Sequence, residues 1–205
     1  SNIEKALKFI NPNNLTFIDI PIGLSSKKTP RKIDQKLRDI LPKGKKSSVF
    51  TAASRNAILA KDYNSAKEIN ILEMNKSISI QSWNISNKIK EVDQFLIKNN
   101  QYNIHESHPE LCFTYLNNQA PLRNNKKTKE GLKERILILN KYIKNSEYLI
   151  EKYYNLFKED NLKKDDIIDA ISLAISAQNW VQNGKRKITQ IPFLDEKGIA
   201  FEIYY

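Results

Sequence analysis

FIDIPIGL (residues 17–24) is an apolar run with one carboxylate, Asp19, and with Pro21 and Gly23 near its end. Five of its eight residues are large and apolar, and β-branched isoleucine is the most frequent, which is typical of a buried strand. We place the first strand at residues 15–20. Because a buried carboxylate is costly unless it is paired, hydrogen-bonded or bound to a metal, Asp19 is a candidate metal ligand. A satisfied buried acid or an Asx turn would explain the same residue.

The composition is that of an ordinary globular protein. The chain has 205 residues, 40% of them hydrophobic and 28% charged, which suits one domain (1–205) with a helical insertion at about 54–100. No uncharged run approaches the roughly 20 residues of a membrane span, and the charged start SNIEKALKFI does not resemble a signal peptide. The single Cys112 excludes an internal disulfide framework and a cysteine zinc cluster. We expect a cytoplasmic protein without membrane association.

The formal net charge of +11 raises the expectation of a polyanionic partner. Most of the basic residues are lysines, whereas arginine is the side chain that grips phosphate with two parallel hydrogen bonds. The chain is also rich in Asn and Ile, and an AT-rich genome would produce the same lysine bias. The charge therefore leaves nucleic acid as one of two open explanations.

Hydrophobic periodicity predicts an alternation of helices and strands. Helices are predicted at 3–10, 33–41, 54–70, 76–99, 108–116, 129–160 (one or two helices) and 164–182. A second strand is predicted at 102–107, and GIAFEIYY (198–205) is predicted to close the chain as a strand. Pro109 should stand at an early position of its helix. This order favours an α/β fold with a small sheet.

Acidic residues stand where such a fold binds ligands. Asp19 and Glu106 lie at or near strand ends, and ligands of open α/β sheets bind outside the carboxyl ends of the strands. In KDDIIDAISLAISAQNW, the residues Asp166 and Asp169 lie roughly 60° apart on one side of the predicted helix. Asp165 and Asp166 are also suited to capping the helix, whereas Asp169 lies deeper and is less easily explained as a cap.

The stretch HESHPEL (105–111) is a second polar cluster. Its residues His105, Glu106, His108 and Glu110 include two histidines three apart that are followed directly by a proline, which fits no zinc pattern. A polar turn with a satisfied histidine explains it equally well. Carboxylate-rich sites of this kind favour Mg²⁺ or Mn²⁺.

Several segments together resemble a known family. IDIPIGL, SSVF, SIQSWNISNKIKEVD, ESHPELCF, NKKTKEGLKER, DDIIDAISLA and DEKGIAFEIYY occur in the order found in the domain-of-unknown-function family 429, described as predicted RNase H-like nucleases. The resemblance runs from about residue 15 to the end. It implies an α/β, ribonuclease H-like mixed sheet flanked by helices, with carboxylates that hold two divalent metal ions.

The resemblance also implies roles for individual residues. Asp19 matches the fourth-strand carboxylate of such nucleases, and Asp166 and Asp169 resemble the paired aspartates of the terminal helix. Glu106, His108 and Glu110 match the family segment E-x-HPE. Family members begin with a strand that carries G-V-D-G and supplies a further aspartate. Nothing of this kind precedes the helix at 3–10, so we expect this N-terminal strand hairpin to be absent from the chain.

These features predict a metal-dependent phosphodiesterase that acts on DNA or RNA. Two Mg²⁺ or Mn²⁺ ions about 4 Å apart would be held by Asp19, Asp169 and, as a ligand or outer group, Asp166. The residues Glu106, His108 and Glu110 would form the catalytic group that positions water or protonates the leaving oxygen. Phosphates would be contacted by Lys126, Lys127 and Arg135, and by Lys45 and Lys46 beside SSVF.

Two other functions fit the same residues. A catalytically inactive protein of this fold would bind or scaffold nucleic acid. A hydrolase of a small phosphorylated molecule would use the same carboxylates, because the fold does not restrict the substrate.

Overall fold

The strands predicted around Asp19 and Glu106 pair with each other. β1 (Thr16–Ile18) and β2 (Ile104–Glu106) form a two-stranded parallel sheet in which Ile18 is the partner of Glu106. Both strands lie inside the predicted segments and are shorter than predicted. The α/β class is confirmed, since a small parallel sheet is combined with a mainly helical chain.

The computed structural model describes residues 3–7, 10–160, 162–184 and 186–205. These residues form two compact units. The sheet-containing unit comprises the described residues up to Glu106 together with Lys187–Tyr204, and the helical unit comprises the described residues of Ser107–Arg186 together with Tyr205. The single domain expected from the sequence stays a prediction. Within the described residues, no helix has the length and apolarity needed to cross a membrane.

Most of the regular secondary structure in the sheet-containing unit is helical. The helices are α1 (Ile3–Leu7), α2 (Ile33–Ile40), a 3₁₀ helix (Lys43–Ser48), α3 (Arg55–Ile58), α4 (Tyr63–Met74), α5 (Ile80–Asn84) and α6 (Ser86–Lys98). Residues 8 and 9 of the predicted first helix lie outside the described residues. The predicted insertion at 54–100 is occupied by α3 to α6.

Two of the predicted helices are each divided in two, the first of them by a polar cap. The segment predicted as one helix at 54–70 is α3 and α4, because the Asp62 carboxylate accepts the Ser65 N–H at 2.8 Å and starts a new helix. In the segment predicted at 76–99, α5 and α6 are separate. Ser79 caps α5 by accepting the Ser82 N–H at 3.1 Å. The hydrophobic spacing therefore located these helices but not their breaks.

The chain leaves the sheet immediately after β1. Asp19 is exposed, so the burial that made it costly in the sequence interpretation does not occur. Pro21, which has no backbone N–H to offer a strand, follows two residues later. Ile22 and Leu24 then return to the core with 7% and 0% exposure.

Arg31 satisfies the buried, irregular backbone of this turn. Its Nη1 donates to the carbonyl oxygens of Ile22 at 2.5 Å and Gly23 at 3.0 Å. Its Nη2 donates to both carboxylate oxygens of Glu106, at 2.5 and 2.7 Å, and its Nε donates to Asp34 at 2.7 Å. Glu106 in turn accepts the Ile22 N–H at 2.7 Å. One arginine thus joins β2 and the first turn of α2 to the segment after β1.

Gly23 is required where the same turn meets the C-terminal hairpin. Its φ of +76° is strained for other residues, and a Cβ there would stand 2.7 Å from the Phe201 ring. Phe201 belongs to β4 (Ala200–Phe201), which pairs antiparallel with β3 (Phe193–Leu194). The predicted closing strand is therefore confirmed in part.

A second arginine ties that hairpin to the helices of the unit. Arg55 Nη2 donates to Asp93 at 2.7 Å and to Asp195 at 2.6 Å. Asp195 also accepts the N–H of Leu24 at 3.0 Å. The main apolar clusters around these contacts consist of Leu24, Ala52, Ala53, Ala57, Ile58, Ala66, Ile78 and Ile89, and of Leu7, Ile22, Val92, Phe95 and Ile104.

The helical unit contains α7 (Pro109–Leu116), α8 (Lys129–Leu139), α9 (Ser146–Phe157) and α10 (Lys164–Asn183). The helix predicted at 164–182 and the early position of Pro109 are confirmed, and the region 129–160 holds two helices. The apolar face of α10 packs on α7, α8 and α9. The buried core is Phe113, Leu116, Leu122, Ile138, Leu139, Ile150, Ile167, Ile168, Ile171 and Ile175.

Removal of the Arg31 charge should destabilise the protein strongly. Arg31→Met leaves the carboxylates of Glu106 and Asp34 buried without their cation, so the free energy of unfolding should fall by about 3–5 kcal/mol in urea denaturation near neutral pH. The difference in the free energy of unfolding between the variant and the native protein should become smaller at mildly acidic pH. Carboxyl groups whose folded-state pKa is raised contribute stability at low pH and lose it as the pH rises.

The matched control is the exposed neighbour Lys32. Lys32→Met should change the free energy of unfolding by less than about 0.5 kcal/mol. A loss below about 1 kcal/mol in Arg31→Met would contradict the role given to Arg31.

Candidate functional site

Asp169 projects from the second turn of α10 onto a partly buried edge of the helical unit. Its side chain is 13% exposed, and its Oδ2 accepts a hydrogen bond from Lys126 Nζ at 2.7 Å. The Lys126 side chain is 35% exposed. The partner of this carboxylate is therefore a compact ammonium on a flexible stem that reaches the solvent.

Glu110 and Arg135 form the inner part of the same cluster. Glu110 lies in the first turn of α7, and its Oε1 accepts a hydrogen bond from Arg135 Nη2 at 2.5 Å. Arg135, on α8, is 1% exposed and also lies over the Phe113 ring, 5.3 Å from its centroid. Because both faces of the guanidinium are enclosed, Arg135 fixes Glu110 in place.

The four charges act on one another. Burial raises the pKa of Asp169 above its ordinary value, and the cations of Lys126 and Arg135 oppose the rise. The negative charge of Glu110 adds to the rise in the pKa of Asp169. Two carboxylates from different helices therefore act on each other, and the Asp169 carboxyl ionises less readily than an ordinary aspartate.

The loop that carries Lys126 is pinned to α8 by backbone contacts. The Glu134 carboxylate accepts the N–H groups of Arg123 and Asn124, each at 2.9 Å. These bonds hold the pKa of Glu134 below its ordinary value, although partial burial acts in the opposite direction. Thr128 caps α8 by accepting the Gly131 N–H at 3.0 Å.

Gly131 allows this loop to approach the helix. A Cβ at Gly131 would stand 1.9 Å from the carbonyl oxygen of Asn125, which is backbone and cannot rotate away. The motif NKKTKEG thus has a physical explanation. Its threonine caps α8, and its glycine admits the loop that presents Lys126 to Asp169.

The Asp166 carboxylate caps its own helix and is not bound to the residues of this cluster. It is exposed, and it accepts the N–H of Lys163 at 3.0 Å, which caps the start of α10. The capping interpretation weighed from the sequence is confirmed for Asp166. Its predicted role as a ligand or outer group stays a prediction.

The other predicted acids and the histidine lie in different surroundings. Both carboxylate oxygens of Glu106 are engaged by Arg31, and burial raises the pKa of Glu106 while Arg31 opposes the rise. These contacts favour a structural role for Glu106. His108 is buried at the N-cap of α7, where its carbonyl accepts the Leu111 N–H at 3.0 Å. Asp19 belongs to the sheet-containing unit, and its ligand role stays a prediction.

The predicted phosphate-binding residues separate into exposed and buried members. Lys127 is exposed beside Lys126. Lys45 and Lys46 are half-buried on the 3₁₀ helix. The prediction that Arg135 contacts phosphate from the surface does not fit its position, because the buried Arg135 is paired with Glu110.

Asp169 and Glu110 suit a divalent cation with few protein ligands. Mg²⁺ keeps several waters and commonly binds one or two carboxylates together with substrate phosphates. Within the described ranges, no group of three or more His, Cys, Asp or Glu side chains is placed to hold a metal ion. The helical unit would therefore supply two carboxylates, and Lys126 would yield its place on Asp169.

The fold and the site define an α/β protein whose helical unit holds a cluster of paired acidic and basic side chains. The family model described as "Protein of unknown function (DUF429)" matches residues 1–192, and the chain belongs to this family. The membership expected from the motifs is confirmed. No curated protein and no solved structure matches the chain.

Several contacts that build the site were not foreseen from the sequence. The pairs Lys126–Asp169 and Arg135–Glu110 join residues 43 and 25 positions apart, a separation that no local pattern reports. A signal for the loop did exist. In KKTKEG, Thr128 stands three residues before Gly131. A threonine directly before a helical segment is a candidate N-cap.

Gly131→Ala should displace the loop and separate Lys126 from Asp169. Because the new methyl group would meet backbone atoms at 1.9 Å, the substitution should lower the free energy of unfolding by more than about 2 kcal/mol. In Gly44→Ala the new Cβ has open space, so that variant should stay within about 1 kcal/mol of the native protein. Thermal denaturation of both variants gives the comparison. Equal stability would contradict the close approach at Gly131.

Proposed function

We propose that this chain is a metal-dependent hydrolase of phosphodiester bonds, a nuclease with an RNase H-like fold. The observation that carries the proposal is the part-buried Asp169 carboxylate, which is influenced by Glu110 and is held by the partly exposed Lys126. A buried acid whose partner can leave is suited to receiving another cation. The net charge of +11 and the family resemblance support a polyanionic substrate.

Asp169 and Glu110 would hold one Mg²⁺ or Mn²⁺ ion. Such an ion activates water and neutralises charge that develops on a phosphoryl group. Arg135 acts as a positioning residue, because its buried guanidinium fixes the Glu110 carboxylate at 2.5 Å. The reorganisation needed to receive the cation is therefore confined to the Lys126–Asp169 pair.

Lys126 has a second use once it leaves Asp169. Its ammonium, at the mouth of the site, can bind a substrate phosphate as a point charge, with the exposed Lys127 beside it. The proposed substrate is thus drawn to the same side chain that the metal displaces. His108 and Asp19 keep their sequence-predicted roles as proposals.

The Asp169→Asn variant should lose activity without losing stability. With Mn²⁺, cleavage of labelled single-stranded, duplex and hybrid oligonucleotides should fall by at least about 100-fold relative to the native chain, because a metal ligand is removed. The melting temperature near neutral pH should not fall. An acid with a raised pKa contributes stability at low pH and has lost it at neutral pH, whereas asparagine never ionises.

The control is Glu151→Gln, which removes another carboxylate paired with a lysine of the same unit, where the glutamate is 53% exposed. Its cleavage rate should stay within about two-fold of the native rate, since exposed pairs contribute little. Asp19→Asn in the same assay tests the predicted ligand role of Asp19. Cleavage by Asp169→Asn at the native rate, or native cleavage that survives chelation of all divalent ions, would refute the proposal.

Binding of nucleic acid without hydrolysis is the second candidate function. It is favoured by the observation that Glu106, Glu110 and Asp169 are each already paired with a cation of the protein. Salt-dependent binding of oligonucleotides, with no Mn²⁺ uptake in calorimetry and no cleavage, would establish it in place of the nuclease.

A further inference from the structure

We propose that the sheet-containing unit carries a separate site for single-stranded nucleic acid, the α2 groove. This groove is a cavity of about 710 Å³ lined by α2 and by residues of the segments 49–52 and 74–82. The side chains that give it its character are Lys32, Lys36, Arg38, Phe50 and Lys76. The proposal extends the proposed nuclease function by naming where the strand is held, and its test needs no metal ion.

The charged residues that line the α2 groove are all basic. No aspartate or glutamate is among the described residues that line it. Lys32, Lys36 and Lys76 are exposed, and no ion pair in the described part of the chain engages them. A concave surface of one charge sign focuses the electrostatic potential and attracts phosphate groups.

Arg38 differs from the other arginines described in this unit. Arg31 and Arg55 are each paired with two carboxylates. Arg38 Nη2 instead donates to the carbonyl oxygen of Val49 at 2.7 Å and to the Thr51 hydroxyl at 2.9 Å. Neutral acceptors orient the guanidinium and leave its charge available. An arginine fixed in this way is prepared to bind a phosphate with its remaining N–H groups.

Phe50 supplies a surface for a base. Phe50 is 42% exposed. It stands between Val49 and Thr51, the two residues that accept hydrogen bonds from Arg38. A ring beside positioned cations is the arrangement by which proteins bind single strands, because bases stack on the aromatic face while the phosphates meet the cations. A duplex, whose bases are already stacked, would gain nothing from Phe50.

The α2 groove was not foreseen from the sequence, although one of its parts was visible. The basic run KKTPRK (27–32) contributes Lys32, and the helix pattern that follows contributes Lys36. Lys76 is brought to the groove from 40 positions beyond Lys36 by the fold. Lys45 and Lys46, which are predicted to contact phosphate beside SSVF, are not among the residues that line the groove.

The test is the binding of a fluorescein-labelled single-stranded oligonucleotide of about 15 thymidines, measured by anisotropy with chelator present. Lys32→Gln, Lys36→Gln and Lys76→Gln together should weaken binding at least ten-fold. They should also reduce the salt slope of the binding constant by about 2, since each phosphate contact to a single strand contributes about 0.7. Phe50→Ala should weaken binding roughly five-fold or more through lost stacking.

Matched controls separate the groove from net charge. Lys61, Lys67 and Lys88 are exposed lysines of the same unit outside the groove lining, and their triple change to glutamine alters the net charge equally. This control should stay within about two-fold of the native protein, as should Leu59→Ala, which removes another exposed apolar side chain. An equal loss of binding in the two lysine triples would overturn the proposal.

Arg38→Gln provides a second variant, since it removes the charge and keeps a polar side chain at this position. It should weaken binding at least five-fold at an unchanged melting temperature. If thymidine monophosphate bound with the same affinity as the oligonucleotide, the groove would be a nucleotide site. If a duplex bound and its binding did not depend on Phe50, the groove would be a site for the nucleic-acid backbone. Either result would overturn the single-strand assignment. Loss of cleavage in Asp169→Asn with unchanged binding here would show that the two functions are separate.

Discussion

The guanidinium of Arg31 makes the buried turn after β1 possible. Backbone carbonyls and carboxylates there are removed from water, and each would oppose folding if it were left without a partner. Arg31 donates to two carbonyl oxygens of the turn and to the carboxylates of Glu106 and Asp34. The path of the chain from β1 to α2, and with it the wall of the α2 groove, depends on this one side chain.

The need to pair every buried charge also separates the acids with a structural role from the candidate functional acid, Asp169. In both units, buried carboxylates such as Glu106 and Glu110 are held by arginines that are themselves enclosed. Such a pair is costly to break, because either partner would be left as an unpaired buried charge. Asp169 differs, since its partner is the 35% exposed Lys126. This difference in partner distinguishes Asp169 from the neighbouring acids, and the exchange of cations that we propose would take place there.

Local patterns in the sequence predicted local structure well. The apolar period of α10, Pro109 at the start of α7 and the positions of the first two strands all follow from spacing and residue type. Contacts between distant residues were not predictable. Arg31 meets Glu106 across 75 positions, and the exposure of Asp19 follows from a turn that this contact stabilises. Asp169 was chosen from the sequence as a candidate site residue, but its lysine partner was not, because long-range ion pairs have no periodicity.

The most direct test of the central claim is a crystal structure grown with Mn²⁺ and examined by anomalous scattering. The account predicts an anomalous peak beside the Asp169 and Glu110 carboxylates, with the Lys126 ammonium moved away from Asp169 and Arg135 still bound to Glu110. Retention of the Lys126–Asp169 pair, with no peak at either carboxylate under saturating Mn²⁺, would contradict it.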